Sequence, residues 1–254
     1  KMDLGLKGKK ALVTGGSKGI GRATAELLAS EGADVAICAR NADEVSAAVE
    51  ALKSKGVNAV GSAVDVGDGD AYKKWIESAI GELGGLDILV PNVSAGGGAN
   101  IGSEEGWKAN FEVDIMGTAR AVNASLESLT ASKGSIVIIS TTTALEEGPG
   151  SGPYGVVKAA LINYANHVSQ ANGRNGVRCN VVSPGPIYIE GGAWNFIKDN
   201  MEDFYNATEK AIPLGYGAAE DVANAVVFLA SPAGGHITGT NLVVDGGFTK
   251  RVQL

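Results

Sequence analysis

Short apolar runs alternate along the chain with longer segments in which apolar residues recur every three to four positions. The short runs predict β-strands and the longer amphipathic segments predict helices. The predicted strands are Ala11–Thr14, Val35–Cys38, Ala59–Val64, Leu86–Val90, Ser135–Ser140, Arg178–Val182 and Asn241–Val244. The predicted helices are Gly19–Ser30, Ala42–Lys55, Ala71–Glu82, Ala109–Leu129, Gly155–Asn172 and Ala219–Leu229.

This alternation predicts the fold class. Strands that are joined through helices give right-handed crossovers and an α/β fold, in which helices cover both faces of a parallel sheet. The chain has 254 residues and is 44% hydrophobic, which is enough for one large domain or two small ones. We expect a single domain over residues 2–254, because no linker-like segment and no internal repeat interrupts the pattern.

Charge and composition narrow the choice of partner. The net charge of −7 argues against nucleic acid or an anionic membrane as the main partner, so a small molecule is expected. Without a membrane-length apolar run or a signal-peptide core, the protein is expected in the cytoplasm. Cys38 and Cys179 are predicted to be buried, reduced thiols. His167 and His236 lack metal-ligand spacing, so no metal site is predicted.

A glycine-rich segment, TGGSKGIG at residues 14–21, follows the first predicted strand and opens a helix. Glycine allows a sharp turn and close approach to a pyrophosphate, and the helix N-terminus offers free N–H groups. The segment therefore predicts a dinucleotide site, with an ordinary strand-to-helix turn as the alternative. Its glycines at positions 15, 19 and 21 depart from the G-x-G-x-x-G spacing.

Tyr154 and Lys158 stand four residues apart on one predicted helix, so their side chains project from the same face. A free phenol has a pKa of about 10, and a nearby ammonium group favours its anion. Tyr154 could then exchange a proton with a substrate oxygen. The alternative is an interface tyrosine beside a solvated lysine.

Together, TGGSKGIG, Asn92 after the fourth strand, YGVVK and the C-terminal ITGTNLVVDGG resemble the short-chain dehydrogenase/reductase family over nearly the whole chain. The resemblance implies a doubly wound, Rossmann-like parallel sheet of seven strands. It also implies hydride transfer between a nicotinamide cofactor and a small carbonyl or alcohol substrate, and a homotetramer. In this reading Tyr154 is the general acid, and Lys158 also holds the nicotinamide ribose.

The remaining catalytic positions follow from the resemblance. The family places a serine thirteen residues before the tyrosine, which is Thr141 here, with Ser140 and Thr142 as fallback candidates and plain strand filler as the alternative. The usual helix asparagine falls at Asp114. Aspartate keeps an acceptor but loses the amide donor.

Two further departures, Ser94 and Ile189, lie where the family commonly has glycine and threonine. These departures bear on the reaction rate and on the choice of substrate more than on the fold. The changes at positions 114 and 141 keep a second hypothesis open, in which the protein is a dinucleotide-binding sensor or scaffold with reduced catalysis.

Cofactor choice is predicted at the end of the second strand, where Arg40 stands and Lys18 in the glycine-rich segment adds a second cation. Basic residues there pair with the 2′-phosphate of NADP(H), and an acidic one would bind the ribose of NAD. Arg40 as a turn-capping surface charge is the alternative. The full set of predicted cofactor-binding residues is Gly15, Ser17, Lys18, Gly19, Ile20, Gly21, Arg40, Asp65, Val66, Asn92, Tyr154, Lys158, Pro184, Gly185 and Ile187.

The segment at about 185–213 is predicted to form a lid over the substrate pocket. Its aromatic residues suggest a ring-containing or apolar carbonyl compound, although packing of the lid on its own domain explains them equally well. Glu146 and Glu147 follow the Thr141 segment. They are read as solvated surface acids or, less readily, as pocket residues that favour cationic ketones.

Overall fold

Seven parallel strands form one sheet in the computed structural model of the chain, which describes residues 3–148 and 150–252. The strand order is β3-β2-β1-β4-β5-β6-β7, and the seven-stranded, Rossmann-like fold predicted from the sequence is confirmed. The strands are β1 (Lys10–Thr14), β2 (Asp34–Ala39), β3 (Ala59–Ala63), β4 (Ile88–Val90), β5 (Ser135–Ile139), β6 (Arg178–Pro184) and β7 (Asn241–Val244).

The helices of the described residues lie mostly between consecutive strands. They are α1 (Gly19–Ser30), α2 (Ala42–Lys53), α3 (Gly69–Leu83), α4 (Glu104–Asn110), α5 (Gly117–Ser132), α6 (Gly152–Asn172), α7 (Ala193–Asn200), α8 (Glu202–Ala211) and α9 (Ala219–Ala230). A π-helical segment, Phe111–Met116, joins α4 to α5. None of these helices is both long enough and apolar enough to cross a membrane.

Two apolar cores lie on opposite faces of the sheet. Successive side chains of a strand point to opposite faces, so Ala11 and Val13 of β1 join one core while Leu12 joins the other. The first core is closed by α1, α2 and α9, and the second by α3, α5 and α6. This arrangement buries β1 completely after Lys10 and fixes the strand that leads into the glycine-rich segment.

Apart from shifts of up to three residues at several other element ends, the predicted elements differ from the observed ones in three respects. The helix expected over 109–129 begins earlier and contains the π-helical segment. Two helices, α7 and α8, lie in the predicted lid, where no helix was expected. β4 starts at Ile88 rather than Leu86, because Asp87 just before it accepts hydrogen bonds from the Lys9 side chain and the Lys10 backbone.

Arg178, the first residue of β6, fastens α9 to the sheet. Its guanidinium group donates hydrogen bonds at 2.7–3.2 Å to four backbone carbonyls, those of Leu229, Ala230, Ser231 and Ile237. Three of these carbonyls close the C-terminal end of α9, where a helix leaves acceptors without intrahelical partners. One side chain therefore satisfies most of one helix end.

We predict that Arg178→Met lowers the free energy of unfolding by about 2–4 kcal/mol, since each buried acceptor left unpaired costs about 1–3 kcal/mol. Urea denaturation measures the change. The control is Arg174→Met, which removes an exposed arginine and should change stability by less than about 0.5 kcal/mol. Equal losses in the two variants would contradict the fastening role of Arg178.

Candidate active site

The strand order of the sheet reverses between β1 and β4. These two strands are neighbours and pair in parallel, and β1 pairs in parallel with β2 on its other side. In open α/β sheets, ligands bind in the crevice beyond the carboxyl ends of the strands at such a point. The glycine-rich segment follows β1, and Asn92 follows β4, so the two lie on opposite sides of this crevice.

Asn92 holds the glycine-rich segment closed. Its side-chain amide donates to the carbonyl oxygens of Thr14 at 3.0 Å and Gly15 at 3.2 Å, and its backbone N–H donates to the Thr14 hydroxyl. A Cβ atom added to Gly21 would lie 2.2 Å from the Gly15 carbonyl oxygen, so only glycine fits there. Gly15 and Gly19 have φ angles of 65° and 53°, a conformation that favours glycine. The sequence of this segment therefore dictates its shape.

The start of α1 forms the floor of this crevice. Lys18 occupies the N-cap position, and its side chain makes no capping bond, so the first N–H groups of α1 are left open to an anion. Ile20 packs partly buried against the first core. Ile189, from the segment after β6, approaches the loop, since its Cδ1 atom would lie 3.2 Å from a Cβ added to Gly19.

The two cations that were predicted to select the cofactor differ in their surroundings. Lys18 forms an ion pair with Glu44 of α2, with 2.7 Å between Nζ and Oε1, and the Ser17 hydroxyl lies 3.5 Å from the other oxygen of that carboxylate. Arg40 is exposed, and within the described part of the chain it makes no ion pair. Glu44 was not identified from the sequence, because nothing in its local pattern distinguishes it from an ordinary acid in a first helical turn.

Asp65 and Val66 follow β3 at the same edge of the sheet. The Asp65 carboxylate accepts a hydrogen bond from the Gly67 backbone at 2.9 Å, while its side chain stays exposed. Val66 is buried and contacts Gly117 so closely that a Cβ there would lie 2.4 Å from it. The turn is therefore held in place by the buried Val66 side chain, while the Asp65 side chain faces solvent.

Lys158 and Asp114 form a buried ion pair, with 2.9 Å between Nζ and Oδ1 and side-chain exposures of 3% and 0%. The Lys158 ammonium also donates to the Ile139 carbonyl at 3.0 Å. The second Asp114 oxygen accepts from the Ala95 backbone at 3.0 Å and from the Asn110 amide at 3.2 Å. The position where the family has asparagine therefore carries a carboxylate that directly contacts the lysine.

Tyr154 lies over this pair. Its ring centroid is 5.8 Å from the Lys158 Nζ atom, as expected for residues one helical turn apart. The ring is partly exposed, and its Cδ1 atom would lie 3.6 Å from a Cβ added to Gly97. The phenol thus stands between a buried positive charge and the open side of the crevice.

The three hydroxyl candidates after β5 differ in their hydrogen bonds and burial. The Thr141 Oγ1 atom accepts from the backbone and hydroxyl of Thr143, both at 3.3 Å, so neither bond uses its own proton. Ser140 is committed elsewhere, because its hydroxyl donates to the Lys158 carbonyl at 3.0 Å. Thr142 is buried at the start of a short 3₁₀ turn.

Pro184 ends β6 and is buried, and Gly185 donates its N–H to the Val244 carbonyl at 2.9 Å. A Cβ at position 185 would lie 2.5 Å from the Asp245 side chain, which explains the glycine. Ile187 is buried and forms an isolated parallel bridge with Gly217. Ser94, on the facing loop, accepts from the Gly96 backbone at 2.9 Å.

Four aromatic residues of the predicted lid form a ring cluster with Tyr216, which lies just after the lid, while Phe196 is 64% exposed. Tyr205 stacks on Tyr216 at 4.5 Å between ring centroids, and Trp194 contacts both Tyr216 and Phe204. Burial raises the pKa of the Tyr216 phenol to about 12, and its hydroxyl donates to the Tyr205 carbonyl. This packing favours the structural interpretation of these rings over direct substrate contact.

Glu146 contacts the C-terminal tail. One of its carboxylate oxygens accepts the backbone N–H groups of both Lys250 and Arg251 at 3.0 Å. The Lys250 ammonium donates in turn to the Ala211 carbonyl at the end of α8. Glu147 is exposed. The observed hydrogen bonds indicate that Glu146 has a structural role. They do not support the pocket role that was considered from the sequence.

Both cysteines are buried, as predicted from the sequence. Burial raises the pKa of the Cys38 and Cys179 thiols to about 12, so both are protonated near neutral pH. Within residues 3–148 and 150–252, no three histidine, cysteine or acidic side chains come together in a way that could hold a metal ion.

Comparisons with known proteins agree with this geometry. The family described as "Enoyl-(Acyl carrier protein) reductase" matches residues 15–249. Isoepoxydon dehydrogenase of Penicillium expansum is 34% identical, and the match covers 98% of each protein.

Solved structures give the same result. L-Sorbose reductase of Gluconobacter frateurii, complexed with NADPH and L-sorbose, has a TM-score of 0.91 at 31% identity, covering 99% of this chain and 100% of the reductase. A short-chain dehydrogenase of Burkholderia cenocepacia in complex with NADP has a TM-score of 0.88 at 32% identity, covering 96% and 98% of the two chains. From its fold, the arrangement of its crevice and these relatives, the chain belongs to the short-chain dehydrogenase/reductase family.

Proposed function

We propose that the protein is an NADP(H)-dependent carbonyl reductase or alcohol dehydrogenase in which Tyr154 is the general acid. One observation carries the proposal: a buried lysine lies one helical turn from a partly exposed tyrosine, at the sheet edge that holds the glycine-rich segment. A phenol in that position can deliver a proton to an oxygen in the crevice.

The proposed cofactor site fits a dinucleotide because a cradle is already formed. Glycine at position 21 lets the loop close against the Gly15 carbonyl and the Asn92 amide, and the open end of α1 supplies N–H donors for a pyrophosphate. When bound, NADP(H) would supply the hydride acceptor or donor. The remaining residues of the proposed site are Ser17, Lys18, Ile20, Arg40, Asp65, Val66, Asn92, Tyr154, Lys158, Pro184, Gly185 and Ile187.

In the proposed reaction Thr141 holds the substrate oxygen with its unused hydroxyl proton, and Tyr154 protonates that oxygen as negative charge develops on it. The Lys158 ammonium stabilises the resulting phenolate. Asp114 orients Lys158 and withdraws part of its charge through their ion pair. The proton leaves one oxygen and arrives at another, so no metal is needed for this step.

The proposed substrate is a small ketone or the corresponding alcohol. L-Sorbose reductase, a relative by structure, supports including ketoses in a test panel, and the exposed ring of Phe196 in the predicted lid supports including ring-containing ketones. Turnover of each compound in the panel is measured as the loss of NADPH absorbance. Turnover of one class of ketone would identify the substrate group.

Assembly, location and domain structure are part of the same proposal. We propose one domain over residues 2–254 with a lid at about 185–213, located in the cytoplasm and assembled as a homotetramer. Two exposed apolar side chains, Phe111 of the π-helical segment and Val156 of α6, support self-association, since both are 53% exposed.

A dinucleotide-binding sensor with reduced catalysis is the second candidate. The observation in its favour is the Lys158–Asp114 pair, because a neutralised ammonium stabilises a phenolate less. Binding of NADPH with no turnover across the whole panel would favour the sensor, and turnover that depends on Tyr154 would exclude it.

We predict that Tyr154→Phe abolishes nearly all turnover and leaves NADPH affinity close to unchanged, because phenylalanine keeps the ring but has no proton to give. Steady-state kinetics and NADPH titration measure the two quantities. Tyr164→Phe, which removes a hydroxyl from the same helix, serves as the control. Retention of most of the parent's kcat in Tyr154→Phe would mean that another residue is the acid.

We predict that the protein binds NADPH at least about tenfold more tightly than NADH, since a charge-assisted contact to phosphate contributes about 1.5–3 kcal/mol. Arg40→Ala should remove most of this preference, and Arg174→Ala should not. Isothermal titration gives the dissociation constants. Equal affinities of the parent protein for the two dinucleotides would refute the NADP(H) assignment.

We predict that Asp114→Asn moves the pH–rate profile toward lower pH. Removing the carboxylate leaves the full positive charge of Lys158 beside Tyr154, which favours the phenolate at lower pH. Glu105→Gln, a change of an exposed carboxylate on α4, is the control. An unchanged profile would show that the Asp114 side chain is uncoupled from proton transfer.

A further inference from the structure

Glu44 places a negative charge at the part of the crevice where a 2′-phosphate would be selected. The Gly16 backbone donates to the Cys38 carbonyl at 3.1 Å, so the glycine-rich segment and the end of β2 lie side by side. Glu44, in the first turn of α2, contacts both Lys18 and Ser17 of the glycine-rich segment.

The position of Glu44 is fixed by the start of its helix. Asn41 caps α2, and its side-chain oxygen accepts the Glu44 N–H at 3.1 Å. A carboxylate in the first turn also interacts favourably with the positive end of the helix dipole. The Glu44 side chain is 32% exposed and the Lys18 side chain 72%, so their ion pair is open on the side of the lysine.

We propose that Glu44 is a specificity-determining residue that competes with the 2′-phosphate of NADP(H) for Lys18. The proposal rests on the NADP(H) assignment made above. In the free protein the Lys18 charge is already partly compensated by Glu44, so a phosphate gains less from this cation than it would from an unpaired one. A neutral 2′-hydroxyl does not depend on that charge, so Glu44 narrows the difference in affinity between NADPH and NADH.

Lys18 and Arg40, the two cations near the end of β2, consequently have different roles. Arg40 is exposed and makes no ion pair among the described residues, so it is available to phosphate at once. Lys18 is accessible, but its charge is partly compensated by Glu44. The net preference for NADP(H) is therefore set by Arg40 and reduced by Glu44, a balance that counting basic residues in the sequence does not show.

The test is Glu44→Gln, which keeps the size and the polar contacts of the side chain and removes its charge. Dissociation constants are measured by isothermal titration with NADPH, NADH, adenosine 2′,5′-bisphosphate and adenosine 5′-monophosphate. Release of a partly exposed ion pair should strengthen binding of the two 2′-phosphorylated ligands about fivefold and change the other two less than about twofold.

Two further variants identify the cause of the gain. Asp43→Asn removes an exposed charge from the same helical turn and should leave the phosphate preference unchanged. In a Lys18→Met background, Glu44→Gln should no longer strengthen binding of the bisphosphate. An equal gain with Asp43→Asn, or a gain that persists without Lys18, would overturn the competition in favour of general repulsion.

The outcome also separates this inference from the proposed function. If the parent prefers NADPH and Glu44→Gln leaves that preference unchanged, only the role of Glu44 is overturned. If the parent binds neither dinucleotide, or binds NADPH and NADH equally in both proteins, the NADP(H) assignment fails and the inference fails with it.

Discussion

A pair of opposite charges with almost no access to water, Lys158 and Asp114, governs the arrangement of the crevice. The pair joins α6 to the π-helical segment, and its remaining hydrogen bonds reach the end of β5 and the loop after β4. Removing one partner of a buried pair leaves an uncompensated charge, which costs about 3–5 kcal/mol. Four segments that are distant in sequence are therefore held in one arrangement, and Tyr154 is positioned above it.

The π-helical segment is the local adaptation that makes this pair possible. Its wider turn lies between two regular helices and contains Asp114, while Asn110 just before it donates to the same carboxylate. Segments of this kind occur frequently at functional sites, because they alter the direction in which a side chain points. The predicted regular helix over 109–129 missed this feature, since the apolar periodicity on either side is that of an ordinary α-helix.

Apolar patterning was sufficient to locate all seven strands, because buried parallel strands leave short apolar runs between amphipathic helices. The glycine-rich loop was also predictable, since its glycines directly follow the first apolar strand and open an amphipathic helix. The role of Glu44 was not predictable, because it depends on a contact with Lys18 that exists only in the folded chain. The lid helices were missed because they are short, 8 and 10 residues, so their amphipathic pattern covers only two to three turns.

Rigid and adjustable parts are separated around the crevice. The floor is determined by backbone geometry and by Asn92, where a single added carbon atom would collide. The rim carries exposed charges that can exchange partners, such as Lys18 and Arg40. This separation lets related chains keep one binding mode for the common part of a dinucleotide while changing selectivity at the edge.

The tail after β7 provides an intrinsic reporter of the lid. The amide protons of Lys250 and Arg251 are bound to Glu146 in the loop before Tyr154, and the Lys250 side chain holds the end of α8. The Lys250 side chain thereby links the tail to the end of α8, so a displacement of α8 would be transmitted to the backbone around these two amides. Hydrogen–deuterium exchange at Lys250 and Arg251 would therefore report on the proposed lid, whichever substrate the protein takes.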